Sequence, residues 1–372
     1  MSCKIAMLFP YAPAYRQPIY QLMDNELDID WFFCGNATRS LKMFDYSLLK
    51  NVDLSMEEKQ ITGVFTSYKG LDNLHLEEYD ALIIAGVYQN ISEWKIALKY
   101  GRCRRKPALY FWTHGMYGKE SFFRKVLKKF FYRCGQGVFL YGNYAKEIMS
   151  KEGFDIDKLH VIHNSLDYSK QFELRNAVQK TSIYREHFGN DNPVLLFLGR
   201  LTPVKQLDMI LVAVASLKER GENYNVMFVG DGPEKDKLSK LSLKLGIDDC
   251  VWFYGACYDE KINAELVYNA DLCVAPGNIG LTAMHVLMFG CPVITHNCLK
   301  WQMPEFESIT PYKTGLFFEY QNQKSLQDKI SEWFRVNGAC RDEVRKNCYN
   351  EIDTQWTPEF QLKVLKQTLK ID

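Results

Sequence analysis

No stretch of this chain stays apolar for the roughly 20 residues that a membrane span requires, so any contact with a bilayer is expected from the side. Charge bias is lacking too: 46 Lys and Arg stand against 45 Asp and Glu, for a net charge of +1. That balance removes any global case for nucleic-acid binding. The eleven cysteines form no CxxC pair and have no histidine at metal-ligand spacing. Several sit in apolar runs, such as Cys273 in ADLCVAP, which points to buried free thiols and a reducing cytoplasm. No segment is compositionally simple and nothing repeats at a fixed period. The opening MSCKIAMLFP runs into a buried-strand pattern without a cleavable signal.

What is present is an ordinary globular balance, 47% hydrophobic and 24% charged over 372 residues, long enough for two domains. Apolar runs KIAMLFP, IDWFFCG, DALIIAG, PALYFWTHG, GVFLYGN and KLHVIHNS alternate with amphipathic stretches, the rhythm of a parallel sheet with crossover helices. A polar, irregular connector is expected over residues 169 to 192. The rhythm then restarts with NPVLLFLGR, YNVMFVGDG, CVWFYG, ADLCVAP and CPVITH. The reading is an α/β chain with an N-terminal domain over 1 to 168 and a C-terminal domain over 193 to 353. A final helix, within 354 to 372, begins near Pro358 with Thr357 as cap and packs back on the first domain.

In open parallel sheets, ligands bind beyond the carboxyl ends of the strands, so the informative residues follow the apolar runs. In LGRLTPVKQLD, Gly199 ends a strand, and Arg200 and Lys205 lie on the loop into a helix. A planar fork and a point charge beside a helix start suit a diphosphate, the alternative being a solvated basic pair. FVGDGPEKDKL carries Gly230, Asp231, Gly232 and Pro233, a tight strand-to-helix turn that is either structural or lines a nucleotide base. In PGNIGLTAMHVLMFGCPVITH, Gly277, Asn278, Ile279, Gly280 and Leu281 form a flexible turn, and Thr282 can cap the next helix. Amides around Ile279 to Thr282 would point at an anion. His285 is the one strongly polar side chain on that helix, a ligand contact or a satisfied core histidine.

Taken together, these motifs resemble the GT-B glycosyltransferases of family 4. They are GRLTPVKQLD, VGDGP, ADLCVAPGNIGLTA with FGCPVI, and MPEFESITPYKTGLFF, with YRQPIY and HVIHNSLD in support. The resemblance implies two doubly wound Rossmann-like domains facing a cleft, the second binding a nucleotide-sugar donor. It puts Arg200 and Lys205 on the donor diphosphate, and the turn at Gly280 to Thr282 on phosphate. Two family glutamates separated by seven residues fall on Gly277 and His285. The first would leave open space, while the imidazole could still meet a ribose hydroxyl. His114, in YFWTHG, takes a position where the family often has a polar residue facing the reacting sugar. Arg16, in PAYRQPIY, is a candidate for acceptor or donor phosphate, or a surface-loop arginine.

The stretch KESFFRKVLKKFFYRCG, from Lys119 to Gly135, carries Arg124, Lys125, Lys128, Lys129 and Arg133 among five aromatics, with KYGRCRRK just upstream. Contact with anionic lipid explains this pairing of charge and aromatics; a solvated face with its aromatics in the core is the other reading. Two Asp-x-Asp pairs, Asp28 with Asp30 and Asp155 with Asp157, lie at the wrong ends of their strands for a cleft metal, so metal-independent chemistry without a cofactor is expected. The function implied is sugar transfer, with retention, from a nucleotide-sugar to a lipid-linked or growing glycan in bacterial surface polysaccharide synthesis. The protein would work at the inner face of a membrane, without nucleic-acid partners. The alternatives are a sugar-nucleotide epimerase or hydrolase, hinted at by Glu305 and Glu307, and a non-catalytic partner of the same fold.

Overall fold

The computed structural model describes residues 3–36, 42–101 and 107–371. They divide into two compact units, one formed by residues up to 167 together with 357 onward, the other by 168–356.

The first unit holds an eight-stranded sheet ordered β4-β3-β2-β1-β5-β6-β7-β8 among the described residues. Its strands are β1 (Lys4–Leu8), β2 (Asp28–Cys34), β3 (Val52–Thr62), β4 (Phe65–Lys69), β5 (Ala81–Ile84), β6 (Ala108–Thr113), β7 (Gly137–Leu140) and β8 (Leu159–Val161). All pairings are parallel except β3 with β4. The helices between them are α1 (Gln17–Glu26), α2 (Ile91–Tyr100), α3 (Phe122–Tyr132) and α4 (Asn143–Lys151). Strands such as β5 and β7 are buried at every residue, as a sheet covered on both faces requires. The β3–β4 hairpin is the one element of this sheet without a hydrophobic-run signal, because its residues 57–65 are largely exposed and polar.

In the second unit, six parallel strands run in the order β11-β10-β9-β12-β13-β14. They are β9 (Val194–Leu198), β10 (Asn225–Val229), β11 (Val251–Gly255), β12 (Leu272–Ala275), β13 (Val293–His296) and β14 (Gly315–Phe318). The stretch expected as an irregular connector instead carries two helices, α5 (Tyr168–Ala177) and α6 (Ile183–Phe188). Arg175 on α5 makes a two-pronged ion pair with Asp353, at 2.9 and 3.0 Å, which ties the stretch into this unit. The remaining helices are α7 (Asp208–Lys218), α8 (Lys235–Leu245), α9 (Glu260–Asn269), α10 (Thr282–Met288), α11 (Gln323–Asn337) and α12 (Arg341–Gln355).

The chain ends in α13 (Pro358–Leu369), which starts as its sequence signals predict: Thr357 accepts from the Phe360 amide and Pro358 occupies the first turn. Leu362 and Leu365 join the core of the first unit beside Ile19, Tyr20 and Met23 of α1.

Candidate functional site

Each unit carries a sizeable cavity at the carboxyl ends of its strands. In the second unit a cavity of about 370 Å³ lies where β9, β10 and β11 end and α9 and α10 begin. Its walls include Gly199, Arg200, Gly230, Asp231, Leu281, Thr282 and His285 from the sequence candidates. Ala256, Cys257, Tyr258, Glu260 and Asn263, which sequence reasoning missed, complete it.

Close backbone packing builds this cavity. Gly199 donates to the Val229 carbonyl at 2.9 Å, Leu201 to Asp231 at 2.9 Å and Gly230 to Gly255 at 2.8 Å. Gly230 has φ of +148°, and a Cβ there would stand 1.9 Å from the Gly199 carbonyl oxygen. Only glycine fits both conditions. The Asp231 side chain accepts from the Gly232 amide at 2.8 Å. Arg200 is exposed at the rim.

Three expectations are corrected here. Gly277 does not open space: a Cβ on it would lie 2.0 Å from the Val204 carbonyl oxygen, and its amide donates to the Lys205 carbonyl at 2.9 Å. The amide of Ile279 is not offered to an anion, because it donates to the Gln302 side chain at 3.0 Å. Thr282 does not cap α10; its hydroxyl donates to the Leu198 carbonyl at 2.9 Å. The turn from Gly277 to Gly280 therefore stands behind the cavity wall. Lys205 stands with it, its Nζ donating to the Asn278 carbonyl and side-chain oxygens at 2.7 and 2.8 Å. Burial lowers the Lys205 pKa, opposed by the Glu305 carboxylate and assisted by the Arg200 cation. Neither Glu305 nor Glu307 lines the cavity.

His285 faces the cavity with its Nδ1 3.1 Å from the Gln171 amide nitrogen of α5. An amide nitrogen only donates, so Nδ1 accepts and the neutral ring carries its proton on Nε2. Burial lowers the His285 pKa, against an opposing pull from Glu260, and the neutral form is favoured at pH 7.

In the first unit a cavity of about 440 Å³ is lined by Arg16, His114, Lys128 and a set of aromatics that includes Tyr15, Tyr88, Tyr117 and Tyr141. Arg16 donates to the Tyr20 hydroxyl at 3.2 Å and lies 5.0 Å from the centre of the Tyr141 ring. His114 stacks near Tyr141 and Tyr117. Its buried Nδ1 has no hydrogen-bond partner. Burial, with the Arg16 and Lys128 cations, pushes the pKa of His114 down to about 4. The cavity thus combines a guanidinium, a neutral imidazole and phenol rings, a set suited to a polyhydroxylated ligand bearing negative charge.

The third candidate region is corrected most. Lys128 is buried, donating to the Gly115 carbonyl at 2.9 Å and to Glu120 at 2.8 Å, so it belongs to the cavity and not to a membrane-facing surface. Glu120 in turn accepts from the Tyr117 and Gly118 amides. Lys125 and Lys129 both pair with Glu152, at 2.6 and 3.1 Å, and Arg133 donates to the Gly153 carbonyl. The aromatics meanwhile are not all in the core: Phe122 and Phe123 are 74% and 85% exposed, with Val126, Leu127 and Phe130 beside them. The cluster at Arg102, Arg104, Arg105 and Lys106 lies outside the described residues. Asp30 is paired with Lys4 at 3.2 Å and the Tyr79 hydroxyl at 2.7 Å, and Asp155 accepts from the Asp157 amide.

Comparison with known proteins places these features. Residues 179–352 match the family described as Glycosyl transferases group 1. An uncharacterized glycosyltransferase of Methanocaldococcus jannaschii is 26% identical over 234 residues, 59% of this chain and 58% of that protein. A D-inositol 3-phosphate glycosyltransferase of Thermomonospora curvata is 31% identical over 166 residues, 40% of this chain and 38% of its own. The chain therefore matches less than two thirds of the length of these curated relatives. Among solved structures, the apo lipopolysaccharide outer core galactosyltransferase WaaB superposes with a TM-score of 0.70 at 14% identity, over 98% of this chain and 99% of that one. HepE of Anabaena in complex with UDP does so with 0.70 at 18% identity, over 99% of both.

The position of Gly277 gives a direct test. Glu in its place, the residue that the resemblance implies, drives a side chain into the Val204–Lys205 backbone. Gly277→Glu should cost at least about 2 kcal/mol through overpacking, read as a lower unfolding midpoint, without tighter binding of any sugar nucleotide. An unchanged midpoint together with improved donor affinity would contradict this geometry.

The chain has the GT-B fold, and its residues 179–352 match the family described as Glycosyl transferases group 1.

Proposed function

We propose that this protein is a glycosyltransferase that moves a sugar, with retention, from a nucleotide-sugar donor to a lipid-linked or growing glycan acceptor in surface polysaccharide synthesis. The observation that carries the reading is the second-unit cavity: Arg200 at its rim and glycine turns at its floor, inside the group 1 domain. The UDP bound by HepE, a protein of the same fold, supports a nucleotide donor. In this reading Arg200 faces the diphosphate and stabilises the charge that develops as it leaves. Lys205 adds positive charge from behind the turn and fixes Asn278. Leu281 and Thr282, which line the cavity, bring backbone close to the phosphates. The reaction uses no resident metal, the departing charge being met by these cations. The acceptor is assigned to the first-unit cavity, where Arg16 meets an anionic group and His114, neutral at pH 7, serves as a hydrogen-bond partner for a sugar hydroxyl.

Membrane attachment at the cytoplasmic face completes the proposal, with its chemistry revised. The exposed Phe122, Phe123, Val126 and Leu127 of α3 enter the lipid interface, and exposed Arg124 meets headgroups.

Thermal protection by a panel of UDP-, GDP- and TDP-sugars identifies the donor, since binding to the folded state raises the unfolding midpoint. With that donor, Arg200→Ala should lose roughly 2–4 kcal/mol of transition-state stabilisation, measured as kcat/KM. Wild-type turnover in a folded Arg200→Ala variant would refute the assignment. For the membrane contact, Phe122→Ser with Phe123→Ser should abolish cosedimentation with anionic vesicles while leaving donor binding intact. Undiminished cosedimentation of the double variant would rule out α3 as the anchor.

A further inference from the structure

The second-unit cavity holds two buried acceptor atoms that nothing in the protein satisfies. Glu260 opens α9 and Asn263 follows one turn later, so both side chains share one face of the helix, and both line the cavity. The Oε2 atom of Glu260 and the Oδ1 atom of Asn263 are buried without a hydrogen-bond partner. Asn263 is held in place through its other end, its Nδ2 donating to the Cys257 carbonyl at 3.3 Å. The start of α9 is itself secured, because Asp259 accepts from the Lys261 and Ile262 amides. Glu260 is therefore not needed as the helix cap. Unpaired buried acceptors are costly, so those that a fold retains call for a function, and in a cavity a bound ligand can complete the bond.

On the same cavity wall His285 presents the opposite polarity. Gln171 occupies its Nδ1, which leaves Nε2–H as a donor. Glu260 and His285 line the same cavity, and the Glu260 charge opposes the lowering of the imidazole pKa by burial. One carboxylate acceptor, one amide acceptor and one N–H donor around one cavity match a pair of adjacent hydroxyls, each of which donates one hydrogen bond and accepts another.

We infer that Glu260, on α9, binds the vicinal diol of the donor ribose together with His285, and so sets the preference for a ribonucleotide. A carboxylate on a different helix thereby supplies the contact that the group on α10 cannot supply alone, since a neutral imidazole accepts from neither hydroxyl once its Nδ1 is engaged. Asn263 takes the remaining hydroxyl hydrogen or an edge of the base. This inference rests on the nucleotide-sugar reading above.

The test compares binding of UDP and GDP with their 2′,3′-dideoxy counterparts, by titration calorimetry, to the full-length wild type, Glu260→Gln and Glu260→Ala. Wild type should bind one of the two ribonucleotides and discriminate against its dideoxy form by about tenfold or more. Glu260→Ala should lose most of that discrimination through weaker ribonucleotide binding, with dideoxy binding nearly unchanged, and Glu260→Gln should fall between. Without ligand, Glu260→Ala should unfold no earlier than wild type, because it removes an unsatisfied buried acceptor; a structural Glu260 would lower that midpoint instead. Equal discrimination by wild type and Glu260→Ala overturns the role of Glu260 and leaves the donor reading standing. Failure of the wild type to bind either ribonucleotide overturns both.

Discussion

Backbone packed directly on backbone is the constraint on which the second unit depends. The loops that follow β9, β10 and β12 approach so closely that side chains are excluded at Gly230, against Gly199, and at Gly277, against Val204. That packing stacks the loops into a rigid floor, with Arg200 left at the rim and α9 and α10 entering from the side. It also leaves position 277 to glycine. With the 203–205 segment against the turn, no side chain fits there, and Lys205 turns its ammonium onto Asn278.

The first unit is organised by where its cations go. A helix rich in lysine would ordinarily present charge to solvent, yet α3 turns Lys128 inward to brace the loop after His114 and hands Lys125 and Lys129 to Glu152. Its outer face is left to Phe122, Phe123, Val126 and Leu127. Of that charge Lys128 shapes a cavity, and the apolar residues become the surface. Burial, assisted by the Arg16 and Lys128 cations, holds His114 neutral, which keeps its ring available as a hydrogen-bonding group near pH 7.

Much of this was legible in the sequence wherever burial and periodicity coincide. Eleven of the apolar runs became strands in parallel sheets, and the residues after Leu198 and Val229 do line a cavity, because chain direction and sheet topology fix where a parallel strand ends. The hairpin over 52–69 gave no such signal, since an edge element with polar faces has no hydrophobic stripe to read. Gln171 was hidden for a related reason: α5 is too polar to stand out, and its role depends on His285, more than a hundred residues away. Glu260 sits beside an ordinary helix cap, and only its place on the cavity wall and its unbonded Oε2 mark it in three dimensions. The destination of Lys128 turned on Glu120, the single acid in that basic stretch, whose pairing spacing alone does not determine.

The central claim is that a nucleoside diphosphate occupies the cavity at the ends of β9, β10 and β11. Hydrogen exchange read by mass spectrometry, with and without UDP or GDP, tests it most directly. The account predicts slower exchange in residues 199–201, 230–232, 256–263 and 281–285, with the β1–β2 core of the first unit unchanged. Binding that leaves those four segments unprotected would contradict it.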